Sequence, residues 1–144
     1  MSLNLNPYLS FRGNAREALE FYRSVLGGKL DIMRYDSIPG MMGDESEADK
    51  VMHGYLETPE GLALMAADLP ASMPDAADST TGGSAVCIWG DDEERMLAMW
   101  SGLAEGGRVN QPFDPAPWGG RFGDLTDRFG VRWMLNLGTD QAAA

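Results

Sequence analysis

The sequence predicts an α+β protein built from two tandem copies of one βαβββ module, and three observations carry that reading. Two helix-spaced apolar stripes each follow a short apolar run, each stripe ends on a glycine pair, and each half closes on a hairpin whose turn ends in glycine. A strand, a helix with its stop, a second strand and a hairpin account for one module.

In the first half, Pro7-Tyr8-Leu9-Ser10-Phe11 reads as a strand. Asn14, with Glu17 three residues on, has the spacing of a capping box and predicts a helix start. Ala15, Ala18, Leu19, Tyr22, Val25 and Leu26 then recur at helical spacing, and Gly27-Gly28 supplies the left-handed stop. A second strand is expected over 29–35. The insertion 36–50 contains Pro39-Gly40-Met41-Met42-Gly43 followed by acids, the composition of a flap over a cleft or of a surface loop. A turn at Thr58-Pro59-Glu60-Gly61 leads into a strand over 62–67.

The second half repeats this order. The apolar run 85–89 is followed by Asp92 in the cap position, then Met96, Leu97, Trp100, Leu103 and Ala104 as the stripe, then Gly106-Gly107 and a strand over 108–113. The segment 114–120 is shorter than its counterpart, after which Gly54, Leu56 and Gly61 recur as Gly123, Leu125 and Gly130. Asp127-Arg128-Phe129-Gly130 is the second turn, and 131–137 the last strand. The modules are 4–68 and 83–138 within a single domain, 4–138, joined by a linker at 69–82 rich in Pro, Ala, Ser and Asp. Residues 139–144 read as a disordered tail.

The 144 residues, 44% of them hydrophobic, suffice for one domain with a real core. Eleven Lys and Arg against 22 Asp and Glu leave a formal charge of -11, which repels phosphate backbones and anionic lipid. Nucleic acid and membrane surfaces are therefore not expected as partners. The single cysteine, Cys87, cannot form an internal disulfide, and no apolar run approaches the ~20 residues of a membrane span. With no Sec-type signal recognisable, the expected compartment is the cytoplasm.

Several motifs together carry a family resemblance. Pro7-Tyr8-Leu9-Ser10-Phe11, Gly13-Asn14-Ala15, Glu17-Ala18, Phe21-Tyr22 and Gly27-Gly28 open it. Val51-Met52-His53, Leu64-Met65, Asp68, Trp118-Gly119, Phe122-Gly123, Asp127-Arg128-Phe129-Gly130-Val131, Trp133 and Asn136 continue it. The chain resembles the PhnB-like branch of the glyoxalase, bleomycin-resistance and extradiol dioxygenase superfamily, also called the vicinal oxygen chelate superfamily. The resemblance implies a glyoxalase-like fold in which two βαβββ modules form a barrel-like cleft with the helices packed outside, a small-molecule ligand inside the cleft, and a homodimer. It also implies where a metal would be held: one position on the first strand of each module and one on the last. Those positions carry Pro7 and Ser84, Met65 and Met134. None is the imidazole or carboxylate that hard or borderline divalent ions take, so no metal and no cofactor is expected.

His53 is the only histidine, so any imidazole chemistry within one chain goes through it. It stands either in the cleft, as general base or polar anchor, or on the outer sheet face as a packing residue. Tyr55, Met65, Trp118, Phe122 and Met134 suit a mouldable wall for an aromatic or amphipathic ligand, or equally a core or subunit interface. Arg132 shares a strand face with Met134 and Asn136 by alternation and would suit an anionic ligand group. Cys87, in an apolar strand with no adjacent cation, is expected to be a buried, inert thiol. Phosphate loops and serine elbows do not occur, and neither does the strand and glycine-rich turn of a nucleoside-cofactor site, so a methyltransferase is not expected. The expected function is small-molecule binding without the superfamily metal site. The alternatives are a metal-dependent or His53-dependent lyase, isomerase or dioxygenase acting on a small oxygenated metabolite, and an interaction protein whose cleft is filled by its own side chains.

Overall fold

The computed structural model describes residues 5–37, 48–69, 84–117 and 119–138. The expected linker, the tail, most of the 36–50 insertion and Trp118 lie outside the described residues. The chain divides into two compact units, Met1–Asp78 and Ser79–Ala144.

The first unit contains β1 (Tyr8–Phe11), α1 (Ala15–Leu26), β2 (Lys29–Arg34), a 3-10 turn at Tyr35–Ser37, β3 (Val51–Glu57) and β4 (Ala63–Asp68). Its four strands lie in the order β1-β4-β3-β2, with β1 parallel to β4 and the other pairs antiparallel. A parallel pair needs a long crossover, and α1 with β2 and β3 provides it. The second unit contains β5 (Val86–Gly90), α2 (Glu93–Ala104), β6 (Arg108–Pro115), β7 (Arg121–Thr126) and β8 (Arg132–Leu137), ordered β5-β8-β7-β6 with the same pairing directions. Among the described residues the chain is thus α+β, with two four-stranded sheets and two α-helices, each unit a βαβββ module, and neither sheet closes on itself into a barrel.

Each helix covers one face of its own sheet: α1 packs on β2, β3 and β4, and α2 on β6, β7 and β8. Strand alternation sends Leu9, Phe11, Leu56, Leu64 and Ala66 to that face, where with Ala15, Ala18, Leu19, Tyr22 and Leu26 they form a buried core. Burying each large aliphatic or aromatic side chain is worth about 1.5–3 kcal/mol. In the second unit Leu125, Trp133, Leu135 and Leu137 meet Met96, Met99 and Leu103 in the same way. Two equivalent glycines make room for the helices. A β-carbon at Gly54 would strike the Leu19 side chain, and one at Gly123 would lie 2.7 Å from the Trp100 ring and 2.8 Å from the Phe113 Cα.

The turns correspond as well. Gly61 (φ 89°) and Gly130 (φ 86°) occupy the left-handed region, and each donates its N–H to the carbonyl three residues back, Thr58 and Asp127, at 2.9 and 3.0 Å. Asp127 adds a fixed network: its Oδ1 accepts from the Phe129 and Val131 N–H groups and its Oδ2 from Trp133 Nε1 at 2.8 Å.

Several expectations from the sequence are corrected. The Asn14 side chain forms no capping bond. The start of α1 is instead held by Asp68 from the end of β4, whose Oδ1 accepts from the Gly13 and Ala15 N–H groups at 2.7 and 2.9 Å while Oδ2 accepts from Val51 N–H at 3.0 Å. Asp92 does cap α2, accepting from Arg95 N–H at 3.1 Å. On α2 the buried stripe runs through Met96, Met99 and Leu103, while Leu97 is exposed. Leu97 lies one position out of the 3-4 spacing that meets the sheet. Cys87 is exposed, because it points to the face of β5 that α2 does not cover.

Candidate functional site

Each helix covers one face of its sheet, and alternation decides which side chains stand on the other, the face that this helix leaves open. In the first unit Tyr8, Met65 and Tyr55 form a row across β1, β4 and β3, since Tyr8 pairs with Met65 and Met65 with Tyr55. Asp31 pairs with Tyr55 and Met33 with His53, so those two share the same face. By the same register His53 stands on the face of the sheet that α1 does not cover. Its Nδ1 lies 3.1 Å from the Tyr8 hydroxyl, and the two rings are 5.7 Å apart and tilted by 46°. Tyr8 is half exposed, and its partial burial raises the phenol above its ordinary value. His53, Tyr55 and Met65 are half-buried and Met33 is exposed, giving a soft aromatic and thioether surface with one hydrogen-bonded imidazole.

In the second unit the equivalent row is Cys87, Met134 and Asp124, from β5, β8 and β7. One step along, Trp89 and Phe122 flank Asn136. Arg132, Met134 and Asn136 do lie on one face, as alternation requires. Arg132 is already engaged. Its Nε lies 3.1 Å from both carboxylate oxygens of Asp124, and Asn110 Nδ2 donates to Asp124 Oδ1 at 3.1 Å. The guanidinium holds the Asp124 carboxyl below its ordinary value, with burial opposing and the Asn110 bond adding to the effect. Partial burial pushes the Cys87 thiol up. Phe122 also lines a groove of about 320 Å³ with Gln111, Asp114, Pro112, Pro115 and Pro117.

The structure thus brings His53, Tyr55 and Met65 together on one open face and Phe122, Arg132 and Met134 together on another. Trp118 lies outside the described residues. Sequence reasoning missed Tyr8 as the partner of His53, Trp89 as a flank of Asn136, and Asp124 as the counter-charge of Arg132. Period-two alternation from Met134 would have found Asp124 only once the β7–β8 register was known.

The positions that the family resemblance assigns to a metal are also corrected at the first strands. Pro7 and Ser84 precede β1 and β5, and the residues that register places beside Met65 and Met134 are Tyr8 and Cys87. A phenol, a thiol and two thioethers do not fit a hard or borderline divalent ion, which takes imidazole nitrogen and carboxylate oxygen. Among the described residues no group of three or more His, Cys, Asp or Glu side chains is placed to hold a metal. No helix among them is long and apolar enough to cross a membrane.

Residues 4–135 match the family model of the Glyoxalase/Bleomycin resistance protein/Dioxygenase superfamily. The chain belongs to that superfamily, in which it is a PhnB-like member. It is 36% identical to protein PA1353 from Pseudomonas aeruginosa, whose crystal structure it matches with a TM-score of 0.83 over 96% of this chain and 100% of that one. It is 25% identical to the PhnB protein from Bacillus cereus, with a TM-score of 0.71 over 94% of this chain and 100% of the other. Among curated proteins, Protein YjdN of Escherichia coli (strain K12) is 28% identical over 139 residues, 92% of this chain and 94% of that protein.

Proposed function

We propose that this protein binds a small molecule on the open faces of its sheets and does so without the superfamily metal site. The observation that carries the proposal is the composition of those faces. Each sheet, covered by a helix on one side, presents on the other a row of aromatic and methionine side chains with a few fixed polar groups: Tyr8, His53, Tyr55 and Met65 in one unit, Trp89, Phe122, Met134 and Asn136 in the other. Apolar walls with a small number of placed polar groups are what small-molecule sites are made of. Methionine adapts its shape to the ligand at little cost. In this reading His53 is a polar anchor oriented by Tyr8.

The Tyr8–His53 hydrogen bond also supports a second reading, a His53-dependent lyase, isomerase or dioxygenase-type enzyme on a small oxygenated metabolite, because acid and base work needs an oriented imidazole. We propose in addition a cytoplasmic homodimer, with nucleic acid and membranes disfavoured as partners by the charge of -11.

The test combines elemental analysis of chelator-free protein with a protein-observed NMR screen of small aromatic acids, phenols and heteroaromatics. Metal-free protein whose perturbed resonances cluster on the open faces supports the binding reading. Stoichiometric metal lost in His53→Ala overturns its metal-free part and favours the enzyme; perturbations confined to the helices, or none, overturn the binding reading itself. Light scattering reports the number of copies.

A further inference from the structure

The side-chain Oδ1 of Asn136 is buried and has no hydrogen-bond partner among the described residues. The residue is only 7% exposed although it stands on the sheet face that α2 leaves open. A buried acceptor without a donor costs stability, and native structures contain few of them. The duplication supplies an internal control for what the fold needs at this position. Met65 and Met134 are equivalent, so Asn136 corresponds to Ala67, two residues further along β4. The fold accepts a methyl group there. The amide is thus an addition particular to the second unit. Its neighbours differ in the same sense. Ser10 pairs with Ala67 in the first unit, whereas Trp89 pairs with Asn136 in the second, and Phe122 pairs with Asn136 from the other side.

We infer that Asn136, between Trp89 and Phe122, is a recognition site for a planar ring that carries an N–H or O–H donor, the flanking aromatic side chains shifting to admit the ring and its donor then meeting Asn136 Oδ1. The inference deepens the small-molecule reading proposed above and rests on it. Trp89 is 53% exposed, so a large apolar surface remains for a ring to cover. Phe122 also lines the groove of about 320 Å³, which falls within the size range of small-molecule pockets. A site with a buried acceptor selects strongly against an analogue lacking the donor, because that analogue leaves the acceptor buried and still unpaired.

Indole and benzofuran test this directly, since they share a shape and differ in whether the ring heteroatom carries a hydrogen. The expected result is that indole binds wild-type protein about tenfold more tightly than benzofuran, the worth of one hydrogen bond to a buried acceptor, with the Asn136 side-chain amide resonances shifting on titration. Asn136→Leu should abolish the preference while keeping or raising the thermal midpoint, and Asn136→Ala, which copies Ala67, should do the same with less change in packing. Equal affinity for both probes at Trp89 and Phe122 would overturn the inference and leave the small-molecule reading standing. A sharp loss of stability in Asn136→Leu would overturn it by assigning the amide a structural partner. Failure of both probes to perturb this face would also overturn it, whereas the screen that tests the broader reading includes the Tyr8 and His53 face and is read separately.

Discussion

Tyr8 and His53 meet across a strand that belongs to neither of them. Tyr8 is on β1 and His53 on β3, with β4 between, yet the hydroxyl lies 3.1 Å from Nδ1. Strands two apart are separated by roughly 9.5 Å, so the contact exists only because both long side chains lean over β4 on the open face. The pair is therefore a property of the sheet order β1-β4-β3, which the crossover through α1 creates. The hydrogen bond is partly exposed and its loss is expected to cost less than about 1 kcal/mol. Its effect on the ring is larger in kind, since the partner of one nitrogen selects the tautomer. Tyr8→Phe should leave the thermal midpoint within a few degrees but move the ¹⁵N shifts of the His53 ring. Unchanged ring shifts would mean that the contact does not orient the imidazole.

Asp68 and Asp92 perform similar tasks at very different depths. Asp68 is 2% exposed and accepts three backbone N–H bonds that join β4, the start of α1 and the start of β3. Asp92 is an exposed cap accepting one. Asp68→Ala strands buried donors and is expected to cost about 3 kcal/mol or more, while Asp92→Ala should cost about 1 kcal/mol. Urea unfolding of the two variants checks the ratio. Equal losses would mean that water replaces the Asp68 carboxylate at little cost.

Much of this architecture was legible in the residues, because the signals involved are local. The glycine pairs, the turns ending at Gly61 and Gly130, and the spacing of Ala15, Ala18, Leu19, Tyr22 and Leu26 each depend on neighbours within a few residues. Asp68 as the cap of α1 was not legible, since the donor groups it serves are more than fifty residues away along the chain and Asn14 offered a plausible local alternative. The same holds for the open faces. His53 was found as the only histidine, but its partner Tyr8 follows from strand order, and the engagement of Arg132 by Asp124 follows from the β7–β8 register. Cys87 reads as buried from the sequence because an apolar strand does not reveal which of its faces the helix leaves uncovered, and the structure exposes it.

The equivalent glycines should respond unequally to substitution. At Gly54 the nearest obstacle is the end of the flexible Leu19 side chain, which can rotate away. At Gly123 a β-carbon also meets the Phe113 Cα at 2.8 Å, and the Trp100 ring it would displace is stacked on Phe113 with centroids 5.4 Å apart. Gly123→Ala is expected to lose about 1–3 kcal/mol by overpacking and Gly54→Ala less. Chemical denaturation gives the magnitudes, and near-ultraviolet circular dichroism should register the disturbed Trp100–Phe113 stack only in Gly123→Ala. A larger loss at Gly54 would contradict the packing argument.

Cys87 offers a direct probe of the second open face. The thiol is exposed, so native protein should react with one equivalent of a disulfide reagent per chain without denaturant. Partial burial raises its pKa above the ordinary 9.0, so at neutral pH the thiolate fraction is small and the reaction should be slower than that of free cysteine. The rate should climb with pH up to a midpoint above 9.0. No reaction before unfolding would place the thiol under a cover, such as a second copy of the chain, and would redirect the search for ligands to the first unit.

The Asp124–Arg132 pair makes stability depend on acid in a predictable direction. Asp124 has a lowered pKa in the folded protein, chiefly through its hydrogen bonds to Arg132, while the unfolded chain keeps the ordinary value near 3.8. A carboxylate with a depressed folded pKa binds fewer protons folded than unfolded at intermediate pH, so its contribution is fully present above the ordinary value and is lost as pH falls through the folded one. Arg132 stays charged throughout, since its raised pKa lies far above this window. Asp124→Asn keeps the shape and removes the charge. The variant should be less stable than wild type at pH 7, and the gap should narrow as the pH is lowered below about 4 and the wild-type carboxylate also becomes neutral. Thermal unfolding at matched ionic strength between pH 3 and 7 measures the gap. A gap independent of pH would assign the loss to packing around Asn110 and Thr126 rather than to the ion pair, and would release Arg132 to meet an anionic ligand as its residue type suggests.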